Sequence, residues 1–283
     1  MRTFLLWALF STSFLCCQEK HSILVSVPAY TEIVQELSGD LAPVRCLVPA
    51  NVSFHTYEPR PKDIESVFSC SLWFSLMDPF EDKIANALLS HHAPIKRVDL
   101  RANLPLITQS CCNTGTDPHI WLDPHLMKTQ LETIAEALRQ EFPEHREDID
   151  RRLVTLKEKL DILIIQVDTL LRPTKGRLFV VAHGAYAYLC KQYGIEQLSL
   201  EQEGKEPSLA SFTSLIQKAQ SHHVKTLFSL RQYPKIGIEK AAEILGARVI
   251  ELDPYSEKYF ENIFFTAQSL HEAMNGSSLD QTL

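Results

Sequence analysis

The sequence has no long run of like charges, and its 28 lysines and arginines are outnumbered by 35 aspartates and glutamates. A formal charge of −7 disfavours nucleic acid, because such binding depends on basic side chains that neutralise phosphates. It also disfavours a polybasic membrane patch. Only nine of the 283 residues are glycine, 45% are apolar and 9% are aromatic. Collagenous, low-complexity and disordered chains are thereby excluded, and we expect a globular protein that binds no nucleic acid.

Long apolar runs are absent beyond the first twenty residues, so we expect no membrane-spanning helix in the mature chain. Arg2 precedes an apolar stretch over residues 4–10 that continues to Leu15. One positive charge before a short apolar run is typical of a signal peptide, here residues 1–20, and indicates export to the periplasm. The run ends at Cys16 and Cys17. These are either a lipid-attachment site or ordinary apolar residues of a cleaved signal.

The cysteines beyond the signal lack the C-x-x-C spacing of zinc and redox motifs. Export permits disulfides, but an odd number cannot all pair and the sequence assigns no bridge. Adjacent cysteines would need strained geometry to pair with each other. We expect most of the five to be structural: Cys46, Cys70, Cys111, Cys112 and Cys190.

Short β-branched runs alternate with helical patterns along the chain. Such alternation predicts an α/β architecture with mainly parallel sheets. The apolar patterns predict strands at 23–27, 44–48, 177–182, 195–200, 226–230 and 248–252, with helices at 31–37, 186–193 and 235–245.

One longer helix is predicted between these units, because apolar residues recur there in steps of four and three. They are Ile149, Leu153, Leu156, Leu160, Leu163, Val167 and Leu170. Pro143 and Pro173 bracket the helix, which at about 1.5 Å per residue would be roughly 40 Å long. It is either an ordinary core helix or a strut. As a strut, residues 143–173 would join an N-terminal lobe, 21–142, to a C-terminal lobe, 174–283.

Four potential metal ligands lie in or next to predicted loops at the ends of strands and helices: His55, His119, His183 and Asp253. Ligands of open α/β sheets gather beyond the carboxyl ends of the strands. Three neutral imidazoles and one carboxylate suit a tetrahedral divalent cation, zinc first. Each residue alone also has an ordinary structural explanation, such as a turn or a core histidine. No short motif such as H-E-x-x-H decides between them.

A resemblance to a known family favours the metal site. Residues 117–124, DPHIWLDP, resemble the D-P-H-x-W-L-D-P signature of bacterial zinc and manganese substrate-binding proteins, the extracytoplasmic receptors of ABC importers. Residues 54–59, FHTYEP, resemble the first ligand loop of that family, and residues 181–189, VAHGAYAYL, resemble its third. Residues 206–208, EPS, match a further turn, and residues 246–254, GARVIELDP, resemble the closing segment.

The resemblance implies two α/β lobes bridged by one long helix, with His55, His119, His183 and Asp253 as the metal ligands. It implies a receptor rather than an enzyme, since four protein ligands close a zinc shell that a catalytic site keeps open. Zn²⁺ is the expected cargo, because imidazole at position 183 suits zinc better than manganese. The expected partner is the permease of an ABC transporter, and we expect a monomer.

Alternatives stay open at this stage. Many zinc-type relatives carry a histidine-rich insertion where residues 102–116 are short and contain no histidine, so Mn²⁺, or less readily iron, is an alternative cargo. From a different class, a secreted zinc hydrolase would use three ligands, a bound water and an acid such as Glu58 as base.

Overall fold

The structure is a computed structural model that describes residues 22–90, 95–108, 115–201 and 207–275. The predicted signal peptide and four of the seven cysteines lie outside the described residues. No helix within these ranges is long and apolar enough to cross a membrane. Cys46 and Cys190 are free thiols.

Two separate sheets of four parallel strands form the framework, in the orders β2-β1-β3-β4 and β6-β5-β7-β8. Strands buried on both faces, such as β1 and β5, are typical of parallel sheets covered by helices. The first sheet comprises β1 (Ser22–Val25), β2 (Val44–Cys46), β3 (Cys70–Ser75) and β4 (Lys96–Asp99). The second comprises β5 (Leu178–Val181), β6 (Glu196–Ser199), β7 (Thr226–Leu230) and β8 (Arg248–Leu252).

The helices follow the strands in an alternating order, so the predicted two-lobed α/β fold is confirmed. They are α1 (Thr31–Ser38), α2 (Pro61–Val67), α3 (Pro79–Ser90), α4 (Pro124–Glu141), α5 (Arg146–Leu171), α6 (Ala187–Tyr193), α7 (Leu209–Ser221), α8 (Ile236–Leu245) and α9 (Tyr259–Asn275). Two of them, α6 and α8, end at Gly194 and Gly246, where φ is +66° and +59°. Glycine adopts this left-handed conformation without the cost that a Cβ would impose.

The long central helix is α5, and its predicted apolar stripe faces the interior. Six of the seven stripe residues are buried, from Ile149 to Val167, and Leu170 is partly buried against the core. At about 1.5 Å per residue the helix is roughly 39 Å long, and it packs against α1, α4 and α9. Short 3-10 turns at Pro143–His145 and Arg172–Thr174 flank it. The lobe boundaries predicted at 142 and 174 stay a prediction.

The sheet topology brings loops of both lobes to the carboxyl ends of their strands. In the second sheet the strand order reverses between β5 and β7, because β6 is added on one side of β5 and β7 and β8 on the other; ligands of open α/β sheets bind at such a switch point. His183 lies in the loop after β5, and Asp253 directly follows β8. His55 lies in a 3-10 turn, Phe54–Thr56, that follows β2 of the first sheet.

Candidate metal centre

Three imidazoles from distant parts of the chain converge on one point. One ring nitrogen from each of His55, His119 and His183 lies within 4.8 Å of the others. The Nε2 atoms of His55 and His119 are 3.2 Å apart. Two nitrogens bound to one tetrahedral zinc at about 2.0–2.1 Å would lie about 3.3 Å apart. The spacing of these two atoms therefore fits ligation of a single ion.

His55 is positioned by the short 3-10 turn that contains it. The hydroxyl of Ser53 accepts a hydrogen bond from the main-chain N–H of His55 at 3.3 Å and so caps the turn. Phe54 is buried and packs edge-on against Phe80 and Trp121. With its neighbour anchored in the core, His55 is directed towards the other two histidines.

His119 is held by Asp117, two residues earlier in the D-P-H motif. The same Asp117 oxygen, Oδ1, lies 2.9 Å from the main-chain nitrogen of His119 and 2.8 Å from its Nδ1. Because a carboxylate accepts hydrogen bonds, the imidazole proton belongs on Nδ1 and the lone pair of Nε2 is left for a metal. Both side chains are fully buried.

Two other residues of the motif, Trp121 and Asp123, also hold this segment in place. Asp123 caps α4 by accepting a hydrogen bond from the main-chain nitrogen of His125 at 2.9 Å. The indole nitrogen of Trp121 donates to the carbonyl oxygen of Pro254 at 2.7 Å, in the segment that follows β8. The motif therefore positions His119, starts α4 and contacts the second half of the molecule.

His183 is buried, with 1% of its side chain exposed. Its Nδ1 lies 3.0 Å from Oε2 of Glu201, which follows the neighbouring strand β6. The ring of Tyr233 stacks on the imidazole at 4.5 Å with an interplanar angle of 15°. Sequence reasoning missed both partners. The position of Glu201 immediately beyond a predicted strand was the one signal that pointed to it.

Asp253 lies apart from the cluster of three histidines. Its Oδ1 accepts hydrogen bonds from Nε2 of Gln232 at 2.8 Å and from the main-chain nitrogen of Tyr255 at 3.0 Å. Its Oδ2 lies 3.3 Å from a guanidinium nitrogen of Arg231. The structure thus brings together three of the four expected ligands, and the role of Asp253 as the fourth stays a prediction. Glu58, the alternative catalytic base, is exposed and also lies outside the cluster.

The surroundings of the cluster favour the uncharged form of the His55 imidazole. Burial lowers the pKa of His55 well below its usual range, and the neighbouring rings of His119 and His183 act in the same direction. A neutral imidazole is the form that binds metal. Behind the cluster, the carboxylates of Asp117 and Glu201 contact two of the rings. Nitrogen donors backed by carboxylates are the usual arrangement around protein-bound zinc.

Two α/β units with parallel sheets, a long central helix and a largely buried cluster of three imidazoles define a two-lobed receptor for a metal ion. The chain belongs to the family described as zinc-uptake complex component A, periplasmic, whose model matches residues 23–273. Members of this family are substrate-binding receptors of ABC transporters, so the resemblance seen in the sequence is confirmed.

Individual relatives agree with this assignment. A putative metal-binding protein of Chlamydia muridarum is 33% identical over 249 residues, covering 87% of this chain and 88% of that protein. A zinc-bound deletion mutant of ZnuA superposes with a TM-score of 0.84 at 30% identity, covering 90% of this chain and 98% of the other. The SBP FpvC of Pseudomonas aeruginosa in complex with Mn²⁺ gives 0.78 at 25% identity, covering 92% and 100%.

Proposed function

We propose that this protein is an extracytoplasmic receptor that binds Zn²⁺ with high affinity and delivers it to the permease of an ABC-type importer. The observation that carries the proposal is the convergence of three imidazoles, the buried His119 and His183 and the partly buried His55, within 4.8 Å of one another. Membership of the zinc-uptake family supports the same conclusion.

The chemistry of the donors favours zinc over manganese. Imidazole nitrogen suits Zn²⁺, whereas Mn²⁺ prefers carboxylate and water oxygens. Manganese is the second candidate, because a similar structure was solved with Mn²⁺. Zinc outranks manganese at almost any nitrogen and oxygen site. Affinity measured in vitro therefore does not identify the cargo. The cargo is identified by the metal that the protein carries in its native compartment.

We propose Asp253 as the fourth ligand, bound through Oδ2 in place of Arg231, while its Oδ1 keeps the hydrogen bond from Gln232. A shell closed by four protein ligands binds and releases an ion, whereas a catalytic zinc keeps a position for water. The substitution Asp253→Ala separates the two classes of function. A receptor would lose zinc affinity, and a hydrolase would keep its metal and lose turnover.

The remaining features of the proposal concern the location and the assembly. Residues 1–20 would direct export, with Cys16 or Cys17 as a candidate lipid anchor, and the family description places its members in the periplasm. We propose that the receptor acts as a monomer, is not an enzyme and binds no nucleic acid. The lobes would comprise residues 21–142 and 174–283, joined by residues 143–173.

The decisive experiment is elemental analysis of protein purified from its native compartment without added metal. We expect about one zinc per chain in the wild type, as one tetrahedral site predicts, and loss of that zinc in His119→Ala. His222→Ala is the matched control, because His222 is exposed and its Nδ1 lies 2.9 Å from the carbonyl oxygen of Lys218 rather than near the cluster. If the purified protein contains manganese instead of zinc, the cargo is manganese and the receptor function stands. Protein that neither carries nor takes up either metal would refute the receptor.

A further inference from the structure

The loop that follows β7 connects the two halves of the site. Gln232, in this loop, donates through Nε2 to the carbonyl oxygen of Ala50 at 2.8 Å and to Oδ1 of Asp253 at 2.8 Å. Ala50 precedes the turn that holds His55, and Asp253 directly follows β8 of the second sheet. A single amide group thus bridges the first ligand loop and the closing segment.

The orientation of this amide is fixed by its partners. A main-chain carbonyl and a carboxylate are both acceptors, so only the NH₂ side of Gln232 can face them. Its Oε1 is buried and has no hydrogen-bond partner among the described residues. A buried acceptor without a partner is costly. The amide keeps this orientation, with both donors on Ala50 and Asp253, although its oxygen is left without a partner.

The next residue of the loop makes a second connection between the two halves of the site. The ring of Tyr233 stacks on His183. Its hydroxyl lies 3.4 Å from that of Tyr255 and also interacts with the side chain of Ser53. Ser53 is the residue that caps the turn of His55. Two consecutive residues therefore link the first ligand loop to the segments that carry His183 and Asp253.

We propose that Gln232 is a positioning residue for metal retention. By tying Asp253 through Oδ1 to the main chain of the first ligand loop, it holds the two halves of the site together around the ion and leaves Oδ2 for the metal. The inference rests on the proposed function, since it concerns how the bound ion is kept. Outer partners of this kind typically change metal affinity by about 10–100-fold when they are removed.

The test compares three variants of the full chain. Gln232→Met keeps the length and removes both donors, and Gln232→Glu keeps the shape but places oxygens against two acceptors. Gln268→Met is the matched control, because Gln268 donates to Glu272 on its own helix α9 at 3.1 Å. The dissociation rate of Zn²⁺ is measured by rapid mixing with an excess of chelator, and the association rate is measured separately. Co²⁺ titration gives the stoichiometry and the ligand-field spectrum.

We expect zinc to dissociate about tenfold faster from Gln232→Met, at the lower end of the range for outer partners, and faster still from Gln232→Glu. The association rate should change by less than about twofold, because the amide acts on the closed site. Gln268→Met should match the wild type. A residue that only fills space would leave Gln232→Glu at the wild-type rate, and that result would overturn the proposal.

The two proposals fail in different ways. If every variant binds one Co²⁺ per chain and Gln232→Met releases zinc at the wild-type rate, the role of Gln232 is refuted and the receptor function stands. If the wild type itself binds neither ion, the receptor function is refuted. An altered Co²⁺ spectrum in Gln232→Met, with the stoichiometry kept, would support a displaced Asp253 carboxylate.

Discussion

Asp117 and His119 form a fully buried carboxylate–imidazole pair, with Oδ1 and Nδ1 2.8 Å apart. The same oxygen also accepts the main-chain N–H of His119 at 2.9 Å. The ring can therefore rotate little, and its Nε2 lies 3.2 Å from Nε2 of His55. Since the carboxylate keeps the proton on Nδ1, Nε2, the nitrogen that we propose binds the metal, has its lone pair available before an ion arrives.

Asp117→Asn should weaken zinc binding by about 10–100-fold, the usual cost of losing an outer partner. An amide can present N–H to the ring and so favour the proton on Nε2, where the ion must bind. Competition with a chromophoric chelator at pH 7.5 measures the affinity. Asp168→Asn is the matched control, because Asp168 contacts His125 at 3.3 Å, outside the cluster. Equal affinities for the two variants would contradict the role of Asp117.

Glu201→Gln should have a smaller effect than Asp117→Asn, in the range of about 3–10-fold on zinc affinity, below that of a fully buried partner. The side chain of Glu201 is 26% exposed, whereas that of Asp117 is fully buried. Water can therefore replace part of the lost interaction with His183. The same competition titration gives the ranking. If Glu201→Gln loses more zinc affinity than Asp117→Asn, the exposed fraction of the carboxylate does not determine how much each partner contributes.

The metal-free protein should become less stable as the pH falls below about 6.5, the ordinary pKa of histidine. Burial lowers the pKa of His55 in the folded state, so below that pH the unfolded chain binds more protons than the native one. Protonation then favours unfolding, and stability increases with pH across this window. Thermal midpoints at pH 7.5 and 5.5, with chelator present, test this for the wild type and His55→Gln. The thermal midpoint of His55→Gln should fall less between pH 7.5 and 5.5 than that of the wild type. Equal falls would exclude His55 as the source of the pH dependence.

Trp121→Phe should lower the free energy of unfolding by about 1–3 kcal/mol, because the buried carbonyl of Pro254 loses its donor. It should also weaken zinc binding, since that hydrogen bond of 2.7 Å links the D-P-H segment to the segment after Asp253. Urea denaturation and chelator competition measure the two effects. Trp73→Phe is the comparison, because Trp73 donates to Ser26 within the first sheet at 3.0 Å. Trp73→Phe should lower the free energy of unfolding without a matching loss of zinc affinity.

Periodic segments were predicted well, and irregular ones were not. The apolar stripe along α5 located the helix to within a few residues, and the strands at 226–230 and 248–252 match β7 and β8. Sequence analysis did not identify β3 or β4. In Cys70–Ser75 serines interrupt the apolar run, and Lys96–Asp99 is mostly charged because β4 is an edge strand. Lys96–Asp99 lacks the apolar pattern of a buried strand, whereas in Cys70–Ser75 the buried apolar run is only three residues long, Leu72–Phe74.

What the sequence determined by itself is local: the helix and strand periodicities, the cap at Asp123, and the contact of Asp117 with a histidine two residues away. Only the tertiary structure decided the partners that are distant along the chain. Glu201 meets His183 across 18 residues, Trp121 meets Pro254 across 133, and Gln232 meets Ala50 across 182. Such contacts depend on how the two sheets, and the loops that follow their strands, are placed relative to each other. No local pattern of side chains encodes that arrangement, because it follows from the packing of both lobes along α5.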